Sequence, residues 1–525
     1  MSAEAGQDSH EPEVKPLPPK EKRENLFTPK RGRRLRINRY IFFTCMVTFC
    51  FFGFLIAYLV KFTVVDSPGL IVNPYNKRNS QLDSRNIRGS ISSADGMILA
   101  YTDVDEDGNE TRVYEKGELF SHVLGYCSDQ HGKSGLEAAC NFSLLTSHQS
   151  IVSQIKNDLK GRKNNGDSVV TTLDYRLQSA AYQALEDYVG DSGKGTIVAI
   201  EPKTGKVRAM VSMPDFDPNE IDDYWDSFHE EDRKGDASPL MNRAISGLYP
   251  PGSTYKVLTA LEYMDENPVT YQDFSYNCKG ETVVNSVRIH CYKETEHGKE
   301  SLAEAFANSC NTAFVTLAAH FNKAKFAALN KRFLFNTKID FDLSVSKSLF
   351  HLNAKSADSE LPQTVIGQGD TLMTPFHNAL IMCAVANDGI LMKPHLVDHI
   401  VTYGDDENQR TVSSEKIKAS GRLAPEASAK VLQKMLRKVV KEGTGTCLDT
   451  DEYEVAGKTG SAENAKENAH SWFVGYSGGQ DPDLVVCVLI ENVGSGSAYA
   501  APAAKEVFDC YYEYEMDDIY KSREE

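Results

Sequence analysis

The sequence predicts an α/β chain. Its core is a five-stranded antiparallel sheet covered by helices on both faces. A small α+β domain and one membrane-spanning helix precede that sheet. Three observations carry this reading. Two strand-like runs come early, at 196–200 and 206–212, and three come late, at 453–459, 471–476 and 484–490, with a long, mostly helical stretch between them. Tyr40 to Val60 carries no charge and is long enough to span a bilayer. The composition, 41% hydrophobic and 25% charged over 525 residues, is that of a folded chain of two or three domains.

Taken in order, residues 1–39 are rich in proline and charge, lack apolar periodicity, and read as a disordered basic tail. The tail ends in Lys30, Arg31, Arg33, Arg34, Arg36 and Arg39, directly before the span at 40–60. That asymmetry predicts a single-pass cell-membrane protein with its N-terminus cytoplasmic and its bulk extracellular. A cleaved leader fits less well, because no small-residue cleavage site follows.

Residues 62–166 read as a small pedestal domain, with Asp95-Gly96 as a hairpin turn between apolar runs. Residues 167–516 read as the main domain and 517–525 as an acidic tail. Val169 to Asp174 is a short strand running into a helix cap, followed by an amphipathic helix from Arg176 to Val189. A last helix begins near Ala501.

Three polar motifs carry chemistry. The first, Ser253-Thr254-Tyr255-Lys256, follows a Pro-Pro-Gly turn and opens an apolar helix. Ser253 then sits in a first helical turn with Lys256 on the same face. A lysine there acts as a base only if burial or a neighbouring cation lowers its pKa. The second, Ser309-Cys310-Asn311, reads as a junction between two helices. Ser309 suits proton relay, and Asn311 suits hydrogen bonding to a substrate amide or to Lys256. The third, Lys458-Thr459-Gly460-Ser461, reads as the end of a strand. There a lysine can hold a carboxylate or raise the local potential, Thr459 can offer a hydroxyl, and Gly460 lets a backbone approach. The N–H groups of Ser461 and Ser253 suit an oxyanion hole.

Each motif has copies elsewhere: S-x-x-K at Ser153, Ser344 and Ser413, S-x-N at Ser84, and K-T-G at Lys203. The first three lack the preceding turn, and Lys203-Thr204-Gly205 lies between two strands as a hairpin turn.

The three motifs in this order resemble those of the penicillin-binding proteins, specifically the monofunctional class B D,D-transpeptidases, which share the serine transpeptidase (β-lactamase-like) fold. Other stretches strengthen the resemblance: Val170 to Asp174, Glu201 to Gly205, Met213 to Asn219, Asn242-Arg243-Ala244, Ile366 to Gly369, Thr374-Pro375, Gly443 to Thr446 and His470 to Tyr476. The family commonly has threonine where this chain has Ser461. The resemblance implies that Ser253 attacks a peptidoglycan stem peptide, with Lys256 as base, and that Ser309 and Asn311 assist. It implies that Lys458 and Thr459 hold the terminal carboxylate, and that β-lactams acylate the same serine. It also implies no metal or organic cofactor, a bacterial membrane, and a possible polytopic membrane glycosyltransferase as partner.

A D,D-carboxypeptidase shares this chemistry with water as acceptor, and a non-catalytic scaffold is a further alternative. A bifunctional enzyme with its own glycosyltransferase domain does not fit the short pedestal. The net charge of −17 argues against nucleic-acid binding.

Of eleven cysteines, Cys45 and Cys50 fall in the span, leaving an odd number outside. Cys278 with Cys291, or Cys127 with Cys140, could close a disulfide in an oxidising compartment. No Cys/His spacing resembles a zinc site.

Overall fold

The computed structural model describes residues 31–61, 85–232, 238–404, 409–463 and 468–524. The chain divides into two compact units, Met1–Ile71 and Val72–Glu525. Residues 1–30 of the expected tail and 62–84 of the expected pedestal lie outside the described residues, as does Ser84.

In the first unit one helix runs Arg31–Lys61. Its segment Asn38–Leu59 is 22 residues of apolar helix, long enough to cross a membrane. Thr44 and Thr48 donate their hydroxyls to the carbonyls of Tyr40 and Thr44, so neither is left unpaired in an apolar setting. The helix starts earlier than expected. Residues 31–39 form its first turns, because Arg and Leu are good helix formers and no proline lies between Pro29 and the end of the helix.

In the second unit the expected five-stranded sheet is present. Its order is Val207–Met213, Gly195–Ile200, Val485–Ile490, His470–Ser477, Val455–Ala462, antiparallel throughout. Side chains alternate across it as a pleated strand dictates. Ile197, Ala199, Val486 and Val488 pack on the helices Tyr175–Val189 and Ala500–Glu524 through Ala181, Leu185, Ala504 and Val507. Val198, Ile200, Cys487 and Leu489 face the opposite core, which contains Leu380 and Ala384. Those two belong to helix Pro375–Ala386, whose twelve residues are all buried. A helix apolar on every side belongs between layers.

The C-terminal helix continues to Glu524, through the segment expected as an acidic tail. Lys203-Thr204-Gly205 is the hairpin turn between the first two strands, with Gly205 at φ 80°.

Strands from both sides of the expected domain boundary at 166/167 share one sheet. Ile91–Ser92, Ile98–Val104 and Glu110–Tyr114 join Ser168–Thr171, Val397–Val401 and Thr411–Ser414 in one six-stranded sheet. Short strands need such partners to bury a face, and long-range pairing leaves no local periodicity. The stretch between Ser253 and Ser309 is not mainly helical. It contains the paired strands Ser275–Cys278 and Gly298–Ser301, and the hairpin Glu281–Val284 with Val287–His290. Asn285 and Ser286 turn that hairpin at φ 52° and 66°. Two left-handed residues in succession match the twist of a two-residue hairpin.

Candidate active site

Ser253 lies in the tight turn Gly252–Tyr255, which leads into helix Lys256–Glu266. Three contacts fix that turn. Gly252 donates its N–H to Gly367 O at 2.9 Å, Thr254 donates its hydroxyl to Pro251 O at 2.8 Å, and Trp472 Nε1 donates to Pro250 O at 3.1 Å. Gly252 is at φ 55°, and a Cβ there would lie 3.0 Å from Ser461 O. Only glycine lets the serine turn approach the edge strand so closely. Tyr255 anchors the turn from behind. It donates to Asn330 Oδ1 at 2.5 Å and packs against Phe326, Phe335 and Phe350.

Ser309 sits at φ 58° between helices Leu302–Ala307 and Asn311–Leu317, the expected junction. That left-handed conformation is costly for a non-glycine residue, and such positions cluster at functional sites.

Two lysines converge on it. Lys256 is fully buried and donates to Ser309 O at 2.6 Å and Asn311 Oδ1 at 2.7 Å, with Ser309 Oγ at 3.4 Å. Lys458, also fully buried, donates to Ser309 Oγ at 2.9 Å and Thr459 O at 3.0 Å. Burial pushes the Lys256 ammonium down to about 8. Burial, then the charge of Lys256, holds Lys458 well below the ordinary lysine range. Desolvation penalises the charged form of each, and two neighbouring ammoniums penalise each other.

Above these lysines lies a cavity of about 380 Å³, lined among others by Ser253, Ser309, Asn311, Thr459, Gly460 and Ser461. All eight residues singled out from the sequence therefore meet at one site, six on the cavity walls and Lys256 and Lys458 beneath them. None of Ser153, Ser344, Ser413 or Lys203 is among the lining residues.

The details differ from expectation in three ways. Lys458-Thr459-Gly460 lies inside the strand Val455–Ala462 rather than at its end; that strand is the sheet edge, paired among the described residues only with His470–Ser477. Lys458 turns inward to Ser309 and does not line the cavity. The space at Gly460 is taken by the protein itself, since a Cβ there would lie 3.1 Å from Thr254 Cγ2 and 3.3 Å from Pro251 O.

Thr444 is a wall residue to which the sequence assigned no role. Its hydroxyl is hydrogen-bonded to that of Thr459. The Gly-Thr-Gly-Thr stretch was visible, but its meeting with residue 459 is a tertiary contact.

Neither of the two disulfides left open by the sequence is formed. Cys127, Cys140, Cys278 and Cys291 are all free. Cys278, Cys291, Cys310 and His297 instead form one cluster directly behind the second motif. The residues come from four separate turns, so no compact spacing marked them.

A hydroxyl served by buried amines, beside an edge strand open to an extended peptide, has the parts of a serine acyl-transfer centre. Comparison with known proteins agrees. Residues 195–509 match the penicillin binding protein transpeptidase domain, and residues 88–169 match the penicillin binding protein A dimerisation domain. The chain is 31% identical over 468 residues to peptidoglycan D,D-transpeptidase PbpA of Mycolicibacterium smegmatis, covering 84% of this chain and 92% of the relative.

The fold is similar to the D,D-transpeptidase domain of a peptidoglycan glycosyltransferase from Eggerthella lenta (TM-score 0.72, 31% identity, 82% of this chain and 99% of that one). It is also similar to penicillin-binding protein A of M. tuberculosis in its imipenem acyl-enzyme complex (TM-score 0.74, 30% identity, 82% and 99%). The chain belongs to the penicillin-binding proteins and is a D,D-transpeptidase of that family.

Proposed function

We propose that Ser253 is the nucleophile of a peptidoglycan cross-linking reaction. The observation that carries this reading is the convergence of Lys256 and Lys458 on Ser309 beneath the cavity that Ser253 lines. A donor stem peptide lies along the edge strand Val455–Ala462. Its terminal carboxylate meets the hydroxyls of Thr459 and Thr444. Neutral Lys256 takes the Ser253 proton as Oγ attacks the penultimate D-alanine carbonyl. The N–H groups of Ser253 and Ser461 receive the oxyanion.

The C–N bond then breaks, and terminal D-alanine leaves with a proton relayed through Ser309. Asn311 fixes Lys256 and orients the donor amide. An amine from a second stem attacks the ester, returns a proton to the lysine pair, and frees Ser253. Ring-opened β-lactams stop at the acyl stage.

The helix at 38–59 anchors the chain in the cell membrane, and the arginines before it favour a cytoplasmic N-terminus with the catalytic domain extracellular. In that setting a polytopic membrane glycosyltransferase supplies nascent strands. The test uses full-length protein with a donor stem-peptide analogue and an acceptor amine. Cross-linked product supports transpeptidation, and D-alanine release with hydrolysis alone supports a carboxypeptidase.

A further inference from the structure

We propose that Cys278, Cys291, Cys310 and His297 bind one structural zinc ion that fixes the second catalytic motif from behind. The four ligand atoms all lie within 4.8 Å of one another. Cys278 Sγ is 3.7 Å from Cys291 Sγ, Cys291 Sγ is 3.7 Å from Cys310 Sγ, and His297 Nδ1 is 3.4 Å from Cys278 Sγ. Zinc binds thiolate at about 2.3 Å and imidazole at about 2.0–2.1 Å, with tetrahedral geometry. Those lengths require sulfur–sulfur edges of about 3.8 Å and sulfur–nitrogen edges of about 3.6 Å. The observed edges match both. A disulfide would need about 2.05 Å instead.

The surroundings suit thiolates. Gly280 N–H points at Cys278 Sγ (3.4 Å), Ala313 N–H at Cys310 Sγ (3.4 Å), and the Thr312 hydroxyl at Cys278 Sγ (3.2 Å). All three cysteines are buried. Four protein ligands close the coordination shell, so the ion is structural and leaves no position for water or substrate. Loading releases the three thiol protons to solvent as the sulfurs become thiolates.

The location gives the ion its consequence. Cys278 ends one short strand, Cys291 follows the hairpin Glu281–His290, and His297 precedes the strand Gly298–Ser301. Cys310 lies between Ser309 and Asn311. One ion therefore ties three loops to the residue between two catalytic side chains. The same hairpin supplies His290, whose carbonyl accepts from Asn311 Nδ2 at 2.9 Å and which lines the cavity.

Elemental analysis of full-length protein, purified in detergent without chelator, tests this. The expected result is about one zinc per chain, and cobalt in its place gives the intense visible bands of a tetrahedral thiolate site. Cys291→Ser loses both. Because that variant can misfold, wild-type protein is also stripped with a chelator and titrated with zinc alone. Re-binding at one equivalent with a raised melting temperature supports the site. Ser253→Ala binds zinc equally, which separates this proposal from the catalytic one. Substoichiometric zinc that does not re-bind, with three freely titratable thiols or a Cys278–Cys291 disulfide by mass spectrometry, overturns it.

Discussion

Lys256 and Lys458 direct their ammonium groups at the same side chain: Ser309 Oγ is 3.4 Å from one and 2.9 Å from the other. Two buried cations around one hydroxyl cannot both stay charged without large cost. The pair is built to hold at least one neutral amine, which a general base requires.

The first prediction is a pH profile. Lys256 is held down to about 8, chiefly by burial. Cys310, Cys291 and Glu300 act on it in the opposite direction, raising it, but burial outweighs them. As pH rises through about 8 its neutral fraction grows, so the rate of acylation by penicillin rises and then levels. Lys256→Arg stays protonated and loses this limb, with acylation down by roughly 10²–10⁴-fold. Stopped-flow acylation across pH 6–9.5 measures both.

Thr444 positions Thr459 through the hydrogen bond between their hydroxyls and offers its own hydroxyl to the donor carboxylate. Thr444→Val keeps shape and removes the hydroxyl. A net hydrogen bond is worth about 0.5–1.5 kcal/mol, so donor affinity should weaken about 2–10-fold. The change falls on KM with little loss in kcat, while a folding defect would instead lower the melting temperature.

Gly252 holds the serine turn against Ser461. Gly252→Ala places an L residue in the left-handed region at a cost of roughly 1–2 kcal/mol and presses on the edge strand. Labelling by fluorescent penicillin should slow sharply while Glu137-dependent packing, far along the chain, is retained.

That packing is a separate test of the pedestal sheet. Glu137 is fully buried between Arg88 (2.5 Å) and Arg112 (2.7 Å). Burial pushes its carboxyl up, but Arg112 and Arg88 outweigh it and hold the group below the usual carboxylate range. Glu137→Gln leaves two buried guanidiniums short of a counter-charge. Loss of one partner of such a network costs about 3–5 kcal/mol. A lowered melting temperature for the full chain is the expected readout.

Acid should destabilise the protein through its buried histidines. Burial holds His122 and His377 at about 4, against about 6.5 when unfolded. Above 6.5 neither state is protonated. As pH falls from 6.5 towards 4 the unfolded chain takes up protons that the folded chain cannot, and stability drops by about 3 kcal/mol per histidine. Glu262, raised to about 7 by burial, acts in the opposite direction below pH 7. The two histidines exceed it. His377→Gln should flatten the loss between pH 6.5 and 4 in thermal melts.

Much of this was legible in the sequence, because strand alternation and helix caps are local signals. The five strands, the serine turn and the hairpin at Lys203 all follow from neighbours within about ten residues. What escaped depends on distant partners. Val397–Val401 completes the pedestal sheet from far along the chain, and Lys458 faces Ser309 rather than the cavity. The cysteine cluster escaped for the same reason. Cys278, Cys291, His297 and Cys310 meet only after a hairpin folds between them.

Mapping the site of acylation tests the central claim most directly. Full-length protein is treated with penicillin G, digested and analysed by tandem mass spectrometry. The prediction is one penicilloyl adduct, on Ser253, absent from a folded Ser253→Ala variant. An adduct on Ser309, Ser344 or Ser413, or folded wild-type protein that takes up no penicillin, would contradict it.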